Sequence, residues 1–224
     1  MGTYRFSFWN LFIIAMVRRT KQDAQATRAA VLDAAERVFL RRGVTRTSLA
    51  EIAQAAGVTR GAIYGHFNDK ADVFTAMMER VTLPLEAEIA QVAEADVAAG
   101  DLLAQLRERV QVAVRRIVSD AQTRRVVEIA MLMVEHVDDQ GELRTRHVQA
   151  AQASVARFAL ILAKVSRQRG MRPPASVTAL ARGLDALLFG LIYHWLLARG
   201  FDLEAEVRQA MDAYLSGIEL PPVA

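Results

Sequence analysis

Between Thr47 and Lys70 the chain reads TSLAEIAQAAGVTRGAIYGHFNDK, a run of hydrogen-bond donors set among small residues. That combination suits contact with a nucleic acid better than bond-making chemistry. Arg60 can pair bidentately with a guanine edge, or hold a phosphate and so position without specifying. Gly61 opens the same helix, where side chains sit closest to base edges, and Ala62 can meet a thymine methyl. Tyr64, His66 and Lys70 can each donate to phosphate oxygens, although His66 reads equally as a solvent-facing helix residue. Thr59 is a natural helix cap whose hydroxyl or amide can also reach a phosphate. Thr47 or Ser48, at the start of the preceding helix, can offer free backbone amides to a second phosphate.

These residues need two short helices and a tight turn to hold them. Ser48 and Glu51 have the S-x-x-E spacing of a capping box, and Leu49, Ile52 and Ala53 (or Ala56) recur at helical spacing. Gly57 permits the left-handed residue that ends a helix, Val58 anchors the turn, and Thr59 starts the next helix. In that helix Ile63 and Phe67 point inward together, leaving Arg60, Tyr64 and His66 outside. The arrangement is a helix-turn-helix. A long amphipathic helix precedes it from Thr27 to Arg42, with Val31, Ala34, Ala35, Val38 and Phe39 on one face. Gly43 ends it, and Thr45 to Thr47 form the connecting loop. Asn68 and Asp69 cap a fourth helix that begins near Lys70 and continues towards Glu88, with Val73, Phe74, Met77, Met78 and Val81 on its apolar face. Pro84 kinks or breaks it.

Five further helices are expected, over Leu102–Ser119, Thr123–Val137, Glu142–Arg169, Ala175–Ala198 and Leu203–Ile218. Gly100, Gly141, Gly170 with Pro173 and Pro174, and Gly200 separate them. No segment alternates apolar and polar residues for long enough to predict a strand, so the fold class is all-α, with about nine helices. In the Ala175–Ala198 helix, Leu184, Leu187, Leu188, Phe189, Leu191, Ile192, Tyr193, Trp195 and Leu196 cover nearly every face, which predicts burial on several sides. Core packing alone accounts for most of them. Asp185 is the only acidic residue between Arg182 and Arg199. It either pairs with Arg182, the preferred reading, or serves a cationic ligand.

The 224 residues are 53% hydrophobic, enough for a sizeable core, and contain no cysteine. That excludes a disulfide framework or thiolate metal site and fits a reducing cytoplasm. The net charge of +3 is unevenly spread. Residues 16–80 hold 11 Lys and Arg against 7 Asp and Glu, a net of +4, whereas from Val81 onward 16 face 18, a net of −2. A basic amino-terminal segment is the electrostatic footprint of DNA binding. Met1 to Ala15 is apolar and aromatic-rich, too short to span a bilayer, and lacks the basic start of a secretory signal. Since Met16 begins MVRRTKQ, like the usual start in the proteins that this chain resembles, the stretch reads as an upstream misassigned start, the other reading being a membrane-touching or self-associating tail. Arg18, Arg19 and Lys21 then form a basic arm, either reaching the minor groove or solvated.

The run from Thr27 to Lys70 closely resembles the DNA-binding domain of TetR-family repressors. Met16 to Arg28 and GVTRGAIYGHF resemble the AcrR/TtgR type, which controls multidrug efflux pumps. The likeness loosens beyond Asp72 but persists in TRRVVEI and in GLIYHWLL followed by FDLEAEV. It implies a basic extension (1–23), a helix-turn-helix domain (24–70) and a helical ligand-binding and dimerisation domain (71–220). It further implies a cytoplasmic homodimer joined through the last two helices, bound to a palindromic operator and released by a small hydrophobic effector. No cofactor and no membrane partner are expected. Tyr64, His66 and Lys70 match the family's backbone-contacting positions. By the same resemblance one side of the Ala175–Ala198 helix lines a drug pocket with Asp185, Leu188, Phe189, Ile192 and Tyr193. Val127 and Met131, with Leu132 and Met133, form the opposite wall. Relatives place polar groups where this chain has Val127, Met131 and Phe189, which makes a greasier pocket. They also often carry a large aromatic at Gly65, so operator preference does not transfer.

The four histidines (His66, His136, His147, His194) form no metal-ligand pair on one helix face. Neither a nucleophile elbow nor a phosphate-cradling glycine loop occurs, so no enzyme is expected. Two other readings compete: a TetR-type regulator of lipid or aromatic metabolism, and a helical interaction module that docks protein instead of DNA.

Overall fold

Caps and glycines fix where most helices begin and end in the computed structural model, which describes residues 8–81, 89–94, 100–133, 141–170 and 175–218. Among the described residues every regular element is a helix. The chain divides into two compact units, residues 1–77 and 78–224.

The first unit holds α1 (Phe8–Arg42), α2 (Leu49–Ala56), α3 (Arg60–Tyr64) and most of α4 (Lys70–Glu79). The α1 backbone is helical well before Thr27, so Arg18, Arg19 and Lys21, expected in an arm, lie on the helix instead. Val31, Leu32, Ala34, Ala35, Val38 and Phe39 form its buried stripe, and α1 packs on α2 and α3. The capping box is complete: Ser48 Oγ accepts from the Glu51 amide at 3.3 Å, while the Ser48 amide donates to Glu51 Oε2 at 2.8 Å. The Ser48 amide and hydroxyl, both donating to Glu51 Oε2 and reinforced by the Arg42 guanidinium that pairs with Glu51, hold the Glu51 carboxyl below its usual range. At the other end of α2, Gly57 is left-handed at φ 69°. The Val58 amide donates to Ala53 O (3.0 Å) and the Gly57 amide to Gln54 O (3.2 Å), the two bonds of a Schellman stop.

Thr59 caps α3 by accepting from the Ala62 amide at 3.2 Å. The helix is shorter than its apolar spacing predicts. It stops at Tyr64, and Gly65 closes it in right-handed backbone (φ −75°, ψ −13°). Gly65 therefore ends the helix rather than weakening its interior. Phe67 lies beyond that end, yet its amide still donates to Ile63 O at 3.0 Å and both side chains are buried. The Asp69 carboxylate caps α4 at the Asp72 amide (2.8 Å), and Asp72 in turn receives the Asn68 amide and side chain. Phe74 of α4 meets Phe39 of α1 with ring centroids 6.4 Å apart. The expected continuation towards Glu88, with Pro84, falls outside the described residues.

The second unit contains α5 (Leu102–Ser119), α6 (Ala121–Leu132), α7 (Gly141–Arg169), α8 (Val177–Ala198) and α9 (Leu203–Ile218), preceded by helical residues 89–94. The bounds of α5 and α9 match those read from the sequence. The α6 helix starts before Thr123 because the Asp120 carboxylate caps it, accepting the amides of Gln122 and Thr123 at 3.1 Å each. Its expected extension to Val137 lies outside the described residues past Met133. The long α7 packs along α8, and α9 packs on α5 and α8. Leu103, Leu106, Ile161, Leu184, Val207 and Leu215 are fully buried between them. Val148–Arg169 and Val177–Ala198 are long and apolar enough to cross a membrane, but here both helices contribute to this core. Across α8 and α9, Tyr214 lies against Gly183 and donates to Leu180 O at 2.8 Å.

Two pairs of substitutions test these assignments by urea unfolding. Gly57→Ala is expected to destabilise the protein by about 1–2 kcal/mol because the backbone is left-handed. Gly65→Ala, where a methyl finds ordinary contact 3.4 Å from Ala62 O, should stabilise it by about 0.4–1 kcal/mol. At Gly183 a methyl would stand 2.3 Å from the Tyr214 hydroxyl. Gly183→Ala should therefore destabilise the parent. In a Tyr214→Leu background it should reverse sign, approaching the roughly 1 kcal/mol that alanine gains over glycine in a helix.

Candidate DNA-binding surface and effector cavity

The outward side of α3 carries Arg60, Gly61 and Tyr64, with Ala62 half-buried beside them. Tyr64 is 48% exposed, although it is a large ring next to a hydrophobic core. The Arg60 guanidinium lies over it, 5.8 Å from the ring centroid. Residues four apart on a helix share a face, so this stacking gives the most exposed cation of α3 a preferred direction. Thr59 is exposed at the helix start, its hydroxyl oxygen occupied by the cap. His66 is half-buried, its ring 6.4 Å from that of Phe67. The Phe67 ring also takes the Arg28 guanidinium from α1, 5.3 Å from its centroid.

Three expected contacts are altered by their surroundings. Thr47 is only 3% exposed, and its hydroxyl donates to Gly43 O at 2.7 Å. Thr47 is therefore a loop tie, and its backbone amide, the group expected to reach a phosphate, donates to Val44 O at 3.3 Å. Ser48 is exposed, but its amide and hydroxyl are both bound to Glu51 Oε2. The remaining first-turn donors of α2 are the amides of Leu49 and Ala50. Lys70 sends Nζ back to Thr45 O at 2.7 Å, binding the start of α4 to the loop before α2. Burial pushes its ammonium below the usual lysine range, against the opposing pull of Glu51.

The second unit contains a partly open cavity of 260 Å³. It brings together Val127 and Met131 from α6 with Asp185, Leu188, Phe189 and Ile192 from α8, six of the seven positions expected to line a ligand site. Tyr193 is absent from the wall: it stacks on Phe189 at 6.3 Å and edges His194 at 6.0 Å. Phe189 is 48% exposed and so belongs to the rim. The third wall, from α5 and α7, was not apparent from sequence. Val110, Val114, Ile117 and Phe158 lie there among ordinary core residues, and Ser154 is a small polar residue in an alanine-rich helix. The preferred ion pair between Asp185 and Arg182 does not form. Asp185 instead accepts a hydrogen bond from Ser154 Oγ at 2.6 Å.

Comparison with known proteins agrees with this division. Residues 31–77 match the profile of bacterial regulatory proteins of the tetR family, and residues 106–218 match the carboxy-terminal domain of BetI-type transcriptional repressors. The transcriptional regulator TtgR of Pseudomonas putida is 38% identical over 208 residues, covering 92% of this chain and 98% of TtgR. The crystal structure of NalD, described as the secondary repressor of the MexAB-OprM multidrug efflux pump in Pseudomonas aeruginosa, superposes with a TM-score of 0.77. It is 33% identical, with 88% of this chain and 98% of NalD covered. A complex of triclosan with SmeT, the repressor of the SmeDEF multidrug efflux pump of Stenotrophomonas maltophilia, gives a TM-score of 0.75 at 29% identity over 88% of this chain and 96% of that one. With both units matched and the likeness to TtgR running nearly end to end, the chain belongs to the TetR family of bacterial transcriptional regulators.

Proposed function

We propose that this protein represses a multidrug efflux operon and its own gene in the cytoplasm, and that a hydrophobic compound held in the second unit releases it from a palindromic operator. The observation that carries the reading is the apolar 260 Å³ cavity in a chain whose other unit is a helix-turn-helix. TtgR, NalD and SmeT support it as similar regulators, the last two described as repressors of efflux pumps. In this reading α3 enters the major groove. Arg60 meets a base edge or phosphate, Gly61 and Ala62 allow close approach, and Thr59, Tyr64 and His66 hold the backbone. The Leu49 and Ala50 amides and the further donors of Lys70 add phosphate contacts.

A palindromic operator needs two copies of the chain with recognition helices about 34 Å apart, one turn of DNA. The last two helices offer the surface for that pairing. An open trough between them is lined by Ala186, Gly190, Leu191, Phe201 and Ala210, and Leu197 stands 59% exposed nearby. Effector binding then weakens operator affinity to the extent that the occupied cavity prefers another state.

Fluorescence anisotropy on DNA from the gene's own upstream region, against scrambled DNA at fixed salt, tests the reading. Specific binding that a hydrophobic drug weakens by roughly 5–150-fold, the usual range of such coupling, is the expected result. Specific binding untouched by drugs but relieved by a fatty acid or aromatic metabolite would make the protein a metabolic regulator. Lack of preference over scrambled DNA would overturn the operator reading. Arg60→Ala and Tyr64→Ala should each weaken specific binding, Arg60→Ala by about 1–3 kcal/mol if it reads a base. The double variant should lose less than the sum, because removing the ring also frees the guanidinium that rests on it. Parent-like affinity of Tyr64→Ala would remove it from the contact surface.

A further inference from the structure

Among the described residues lining the cavity, Ser154 and Asp185 are the only polar ones; Val110, Met131, Phe158, Leu188 and Ile192 are typical of the rest. Ser154 Oγ serves Asp185 Oδ1 at 2.6 Å, and no described residue donates to Oδ2. Arg182, one turn earlier on α8, forms no ion pair with it. A carboxylate removed from bulk water is stabilised only as far as donors replace its hydration. Asp185 is half-buried, and one hydroxyl is the protein donor that replaces the water it loses. Asp185 also lines a groove on the α7–α8 surface, together with Gln152, Val155, Ala159, Thr178 and Arg182. Its carboxylate therefore stands where the apolar interior meets a water-reached surface. The positive charge of Arg182 belongs to the groove side, so a second cation is disfavoured there and favoured on the cavity side.

We infer that this cavity selects hydrophobic amines, the protonated nitrogen taking the unserved Oδ2 of Asp185 while the apolar body fills the space between Met131, Phe158 and Ile192. The inference rests on the effector reading above and narrows it from hydrophobic compounds in general to cationic ones. Charge-assisted hydrogen bonds are the strong ones. A neutral compound of the same shape fills the same apolar space without bringing a charge to the carboxylate. A hydrophobic carboxylate meets like charge.

Titration calorimetry on the full chain with a matched pair, 4-phenylbutylamine and 4-phenylbutanol, tests it. The parent protein is expected to bind the amine at least about tenfold more tightly than the alcohol, the minimum for a charge-assisted bond. Asp185→Asn keeps an acceptor for Ser154 but loses the charge, and should bring the two probes to within about twofold of each other. Ser154→Ala leaves the carboxylate in place and should retain the preference; thermal melting of each variant reports its folding. Equal binding of amine and alcohol by the parent, or a preference that survives Asp185→Asn, would overturn the inference while leaving a hydrophobic effector site intact. Binding of neither probe would overturn it together with the effector cavity itself.

Discussion

A helix of five residues cannot hold itself together. Nucleating the first turn fixes several dihedrals for a single hydrogen bond, so isolated helices shorter than about 12 residues are marginal in water. The α3 helix, Arg60–Tyr64, exists because its surroundings leave it no alternative. The Schellman stop at Gly57 aims the chain, the Thr59 hydroxyl satisfies a first-turn amide, and Ile63 with Phe67 buries the inner side. Every one of those restraints acts from the ends or from below. The outer side is left for Arg60, Gly61 and Tyr64, which add only the stacking of the first on the last. This is how a short element can present functional residues rigidly: its stability is supplied by the scaffold under it.

The same economy explains why some expected DNA contacts are structural. A loop of few residues between α1 and α2 must satisfy its own carbonyls, and Thr47 and Lys70 do so at Gly43 O and Thr45 O. Their polar groups read alike in sequence whether they face inward or outward. Only packing decides, and here it turns the threonine in and brings the lysine back over the loop. Arg60 and Tyr64 meet each other instead.

How much was legible follows from the range of the interaction. Features set within a few residues were readable: the Ser48–Glu51 box, the Gly57 stop, the Thr59 cap, the apolar stripes of α1 and α4, and the bounds of α5 and α9. The cavity positions Val127, Met131, Leu188 and Ile192 were foreseen through resemblance, not periodicity, since an all-round apolar helix does not say which side stays open. Where α3 ends was not readable, because Ile63 and Phe67 keep helical spacing although the helix has stopped between them. Nor was the partner of Asp185. A local rule favours Arg182 three residues away, but the hydroxyl that bonds it comes from Ser154, 31 residues distant on α7.

That distant bond bears on what a mostly apolar cavity can discriminate. A hydrophobic wall tells ligands apart weakly, by about 1–3 kcal/mol for a methylene gained or lost, and Met131 can change shape to accept several outlines. A polar group inside such a wall discriminates far more sharply, because a ligand that fails to match it leaves it unsatisfied. Breadth and selectivity therefore have separate sources in this molecule. In the inferred effector site the apolar lining sets how many bodies fit, and the Asp185 carboxylate sets what those bodies carry. Ser154 and Asp185 lie on α7 and α8, the two helices that pack along each other, so an occupant that draws the carboxylate away from Ser154 acts on the contact between them. A charge recognised at Oδ2 therefore stands beside a bond that joins two packed helices of the unit.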